Sequence, residues 1–115
     1  MDDSGDTLRR LAIHDDAYIE SVLARGFRCT SASGLDAKTQ ALVRVGALVA
    51  VDATPSAYMS AVESALESGA TLHDLVGILV ALVPSIGPDR VAAAAPKLGL
   101  ALGYDVDEAL ERLPE

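Results

Sequence analysis

Few side chains in this sequence have the type and setting to do chemistry. Arg44 is the foremost: it is the only charged residue between Ala41 and Val51, and helical spacing sets it beside Gln40, Ala41, Ala47 and Leu48. A guanidinium on so apolar a surface is costly unless something pairs with it. Its planar fork suits a ligand carboxylate held by two hydrogen bonds. A salt bridge to one of the chain's many acids, internal or across a subunit boundary, is the other way to satisfy it. Tyr58 shares a helical stripe with Ala61, Val62, Ala65 and Leu66. It either presents its hydroxyl to a ligand or sits in the core with one hydrogen bond satisfied. His73 falls in the first turn of a helix, where the dipole disfavours imidazolium, and reads as a neutral donor or base, or as a plain exposed side chain.

The remaining candidates carry less. Ser56, Ser60, Glu63 and Glu67 fall on a second stripe, which reads as a solvated or subunit-facing surface; Ser60 as a nucleophile would need a base, and no residue can be assigned to that task. Cys29 is the only cysteine, so an intrachain disulfide, a CxxC redox pair and a cysteine-based zinc site are excluded; it reads as a spectator in a loop. His14, Asp15 and Asp16 are contiguous and cannot all point at one ion from a helix, and the two histidines of the chain have no recognised ligand spacing. No metal and no cofactor are expected.

These residues need elements to hold them. The chain has 115 residues, half of them hydrophobic but only 3% aromatic, which suits one domain with a core of small aliphatics. Such a core lets helices approach closely, yet each alanine buries little area, so a partner subunit is a natural supplement. The formal charge of −8 argues against nucleic acid and against anionic membrane surfaces as partners. The start, Met1-Asp2-Asp3-Ser4-Gly5-Asp6, lacks the regions of a secretory signal. The longest nearly unbroken apolar run, Leu75 to Val83, is too short to span a bilayer. A cytoplasmic domain is expected.

Start and stop signals divide the sequence into helices. Thr7 to Ala24 has helical apolar spacing, with a break near His14, and Gly26 suits its end; residues 26–34 read as a loop. Asp36 can cap a helix with Lys38 to Val51 as its body. Thr54-Pro55 combines a hydroxyl at the N-cap with proline at the first helical position, and Gly69 closes that helix. Thr71-Leu72-His73-Asp74 resembles a capping box with Asp in place of Glu. It opens a helix that is apolar on all sides from Leu75 to Val83 apart from Gly77, so that helix should be central. Gly87-Pro88 opens another, running to about Leu102 with a kink at Pro96 and ended by Gly103. Asp105-Val106-Asp107-Glu108 starts a short acidic C-terminal helix. Nothing alternates with period two long enough for a strand. The expected fold is all-α with six or seven helices: an N-terminal arm and loop over 1–34, a core over 33–104 and an acidic helix over 105–115, one domain overall.

One series goes further. Leu35-Asp36-Ala37-Lys38-Thr39 leads into the apolar helix ending at Asp52; Ala65-Leu66-Glu67-Ser68-Gly69-Ala70-Thr71 closes the next; Leu75-Val76-Gly77-Ile78-Leu79 follows. Together these blocks resemble the core of the carboxymuconolactone decarboxylase family, which includes the alkylhydroperoxidase-D-like proteins, over about residues 33–104. The resemblance implies an all-helical domain that assembles into trimers, hexamers or similar rings, with pockets between helices near a subunit boundary. It also removes the best-known chemistry of that family. The two cysteines and the histidine of its peroxidase branch would fall at Thr54, Ala57 and Ala61, and its carboxylate at Leu42. Peroxide reduction needs an attacking thiolate and a resolving thiol, which Thr and Ala cannot supply. The histidine of the decarboxylase branch would fall at Ser60 or Ala61, and Gln40 stands where the family tends to have arginine.

Two functions follow from this reading. The first is a carboxymuconolactone-decarboxylase-like protein that binds or acts on a small organic acid or lactone without thiol peroxidase chemistry, any activity being of decarboxylase, lyase or isomerase type, with Arg44, Tyr58 and His73 as candidate ligand-binding residues. The second is a non-catalytic homo-oligomeric scaffold or interaction protein that retains the fold and has lost the active site.

Overall fold

The computed structural model describes residues 4–28, 33–104 and 111–112. Cys29 and, apart from Glu111 and Arg112, the expected C-terminal helix lie outside them. The described residues form six helices and no strand, as the absence of period-two patterning requires. The chain divides between Asp36 and Ala37 into two compact units.

The first unit holds α1 (Ser4–Ala12) and α2 (Asp16–Arg28). The one interrupted helix expected over Thr7 to Ala24 is thus two helices, and it extends further at both ends. His14 takes a left-handed backbone, with φ of 58°, and this ends α1. The Asp15 carboxylate then caps α2 by accepting the Tyr18 N–H at 3.2 Å. Tyr18 ties the two helices together: its hydroxyl donates to the Thr7 hydroxyl at 3.0 Å, and the Arg10 guanidinium lies 5.1 Å from its ring centre. α2 runs through Gly26 to Arg28, where a loop was expected. A mid-helix glycine costs about 1 kcal/mol relative to alanine but does not forbid the helix.

The second unit is built from α3 (Ala37–Ala50), α4 (Pro55–Glu67), α5 (Leu72–Ile86) and α6 (Pro88–Ala101). The local signals explain these boundaries. The Thr54 hydroxyl caps α4 by accepting the Ala57 N–H, with Pro55 at the first turn. Gly69, with φ of +97°, supplies the left-handed residue that lets the chain leave it. Thr71 and Asp74 form a complete capping box: the Thr71 hydroxyl accepts the Asp74 N–H at 3.1 Å, and the Asp74 carboxylate accepts the Thr71 N–H at 2.9 Å. Both α5 and α6 run through an interior proline, Pro84 and Pro96.

α3 and α6 each pack on both α4 and α5 and meet each other across the bundle, while α4 and α5 occupy opposite corners. The largest fully buried side chains are Val45, Val49, Tyr58, Val62, Leu75 and Leu98, with Ala61, Ala65 and Ala94 filling between them. On α3, Gly46 faces α5, where an added Cβ would make ordinary van der Waals contact with the Ile78 methyl at 3.8 Å.

α5 departs from expectation. Its uniform apolarity predicts a central helix, yet Leu75 is its only fully buried residue. A corner position gives it two neighbours instead of a surrounding shell. One face packs on α3 and α6, and Val76, Gly77, Val80, Ala81 and Pro84 are left on the outside.

Candidate functional site

α3 and α4 are antiparallel neighbours in sequence, joined by the short turn at Val51–Thr54, and their packing sets Arg44 against Ser60. The Arg44 Nη2 donates to Ser60 Oγ at 3.3 Å. Both side chains are exposed. Arg44 makes no ion pair among the described residues. Of its five N–H donors, the Ser60 contact engages one. Ser56 and Ser64, at i−4 and i+4 from Ser60, continue a hydroxyl row on that side of α4. The Ser56 hydroxyl lies 3.2 Å from that of Thr54. A free planar cation flanked by hydroxyls can hold and orient a carboxylate. Neither Arg44 nor Ser60 bonds to a carboxylate or an imidazole among the described residues.

Tyr58 lies only two residues before Ser60, but a helix turns it roughly 200° away, into the core. It is 0% exposed, as a core reading requires. Its hydroxyl, however, has no hydrogen-bond partner among the described residues, against the expectation of one satisfied bond. Among the described residues no other polar side chain is buried in the core beside it. Burial pushes the phenol's pKa up, and the Asp52 charge adds to the shift.

His73 is exposed in the first turn of α5. Its helix packs on α3, which carries Arg44, but no hydrogen bond joins the two side chains among the described residues. Thr54 caps α4, and Ala61 is fully buried in the core. No group of His, Cys, Asp and Glu able to hold a metal occurs among the described residues.

Sequence reading missed the polar junction at the end of α3. Arg90 Nη1 donates to the Ala50 carbonyl at 3.1 Å. Lys97 Nζ donates to Asp52 Oδ1 at 2.7 Å and to the Ala53 carbonyl at 3.0 Å. Arg90 thereby satisfies a carbonyl at the negative end of α3, and Lys97 one in the turn that follows it. The Lys97 hydrogen bond and charge hold the Asp52 carboxyl below its usual range. The available signal was the seven-residue spacing of Arg90 and Lys97, which puts both on one face of α6. A second ion pair, Lys38 to Asp74 at 3.1 Å, links α3 to the start of α5. The Asp74 carboxyl is lowered first by the Thr71 backbone N–H and then by Lys38.

No helix among the described residues is long and apolar enough to cross a membrane. No family model, curated protein or solved structure matches the chain.

Proposed function

We propose that this chain is a small-molecule protein that binds, or acts on, a small organic acid or lactone through Arg44, in the manner of the carboxymuconolactone-decarboxylase-like proteins its sequence resembles and without thiol peroxidase chemistry. The observation that carries the reading is the Arg44–Ser60 pair, an exposed guanidinium braced by a hydroxyl, with no carboxylate of the described chain claiming it. The proposal includes a cytoplasmic location and self-association into a trimer, hexamer or similar homo-oligomer. Within it, Arg44 orients the ligand's carboxylate and Ser60 holds the guanidinium in place; no hydrogen bond joins Tyr58 or His73 to that pair among the described residues, and they are secondary candidates.

A non-catalytic scaffold is the second reading, and a specific observation favours it. Thr54 and Ala61, at two of the positions where the enzymes that the sequence resembles carry reactive groups, serve as a helix cap and as core filling. A dye-based thermal shift across a panel of small carboxylates and lactones, on the native chain and on Arg44→Ala, separates the two. A ligand at a hundred times its dissociation constant stabilises by about 2.7 kcal/mol, which raises the midpoint by several degrees. A rise in the native chain that is lost in a still-folded variant supports the carboxylate site. The absence of any rise puts the scaffold reading first.

A further inference from the structure

The charges around the Arg44–Ser60 pair are unmatched, and they are unmatched in a complementary way. Elsewhere in residues 37–104 the charges find partners: Lys38 pairs with Asp74 and Lys97 with Asp52, Arg90 bonds the Ala50 carbonyl, and Asp89 lies in the first turn of α6, where the dipole favours it. Arg44 bonds a hydroxyl and no acid among the described residues. Glu63 and Glu67, on the α4 helix that carries Ser60, make no ion pair among the described residues. No Lys or Arg other than Arg44 occurs between Lys38 and Arg90, so neither α4 nor α5 brings one.

Helix geometry sets where these charges stand. The buried residues Tyr58, Ala61, Val62 and Ala65 define the inward direction of α4. At about 100° per residue, Ser60 and Glu63 stand roughly 60° apart, one on each side of the outward direction. Both are exposed. Ser60 meets α3, so Glu63 leans the other way, and Arg44 reaches the hydroxyl without reaching the carboxylate.

The two acids carry a cost that the described chain does not offset. Glu63 and Glu67 are four apart on one helix and repel each other. Glu67 also ends α4, where the dipole disfavours an anion. A cation at Glu63 relieves the repulsion, and a further carboxylate there adds to it. A ligand anchored on Arg44 by its carboxylate is thus selected by the charge that it carries across Ser60. Side chains three apart on a helix lie about 5–6 Å from each other, a gap that a small amino acid spans.

We infer that the ligand of Arg44 is a small α- or β-amino acid, with its carboxylate on the Arg44 guanidinium and its ammonium on the Glu63 carboxylate, on either side of Ser60. This rests on the carboxylate reading of Arg44 and names the class of acid. Exposed ion pairs are weak and screened by salt, so the preference over a plain acid of equal size is a few-fold and is greatest at low ionic strength.

Alanine and propionate differ only by the ammonium group and serve as the probes. Each is titrated at neutral pH and low salt into the nitrogen-15-labelled native chain, Glu63→Gln and Arg44→Gln, with the Ser60 amide as the readout and circular dichroism to show that each variant is folded. In the native chain alanine should bind at least about threefold more tightly than propionate. The ratio should fall to about one in Glu63→Gln, and both ligands should be lost in Arg44→Gln. Equal affinities in the native chain, or a preference for alanine that survives in Glu63→Gln, overturn the amino-acid assignment and leave the carboxylate reading standing. Binding of neither probe, or binding that survives in Arg44→Gln, overturns both.

Discussion

Lys97 on α6 reaches the end of α3 with one ammonium group, bonding Asp52 Oδ1 at 2.7 Å and the Ala53 carbonyl at 3.0 Å. Asp52 itself takes a left-handed backbone, with φ of 53°, a conformation that Asp tolerates better than most residues. That turn releases the chain from α3 and offers Asp52 and the Ala53 carbonyl to α6. Lys97→Met keeps the aliphatic stem and removes both contacts. The lost carbonyl bond should lower stability by about 1 kcal/mol, the exposed ion pair adding little. Chemical denaturation of native and variant chains, compared at neutral pH, checks this.

Acid should weaken the fold through two named carboxylates. Asp52 and Asp74 are both held below the usual carboxylate range in the folded chain, the first by Lys97 and the second by the Thr71 N–H and Lys38. A depressed folded value means the unfolded state binds the proton more readily. The contribution is therefore complete above the unfolded value near pH 4 and is lost as pH falls through the lower folded values. Midpoints measured from pH 7 down to pH 2 should fall in that window, and less steeply in Asp74→Asn, which starts from a lower stability.

The capping box gives a cleaner local test. Thr71→Ala removes the acceptor of the Asp74 N–H and should cost about 1 kcal/mol, read as a lower denaturation midpoint with the helical signal retained.

Tyr58 should respond to truncation in two opposite ways. Its hydroxyl is buried without a partner among the described residues, which leaves a desolvation cost uncompensated. Tyr58→Phe should raise stability by about 1 kcal/mol. Tyr58→Ala removes the largest fully buried side chain and should cost about 3–5 kcal/mol. A destabilised Phe variant would show that the hydroxyl has a partner.

Much of the second unit was legible in the sequence because its signals are local. Thr54-Pro55, Gly69 and the Thr71–Asp74 box act within one helical turn, and the structure holds each of them where the spacing sets it. The misreadings are of longer range. The apolarity of α5 gave its tendency to be covered but not its corner position, which depends on how four helices pair. Gly26 weighed as a stop, although a helix with enough other contacts passes through one glycine. The Arg44–Ser60 contact joins residues 16 apart in sequence on two helices, and Lys97–Asp52 joins residues 45 apart. Each partner was visible in the sequence, but their pairing is a product of the packing.

The carboxylate reading of Arg44 is tested most directly by watching that side chain. In a chain labelled with nitrogen-15, the Arg44 Nε–Hε resonance and the Ser60 amide can be followed during titration with the small carboxylate that gives the largest thermal shift, or with acetate where none does. The account predicts saturable shifts at both resonances, absent in Arg44→Gln, with the α5 amides unmoved. Shifts that avoid Arg44 and Ser60, or none at any concentration, would contradict it.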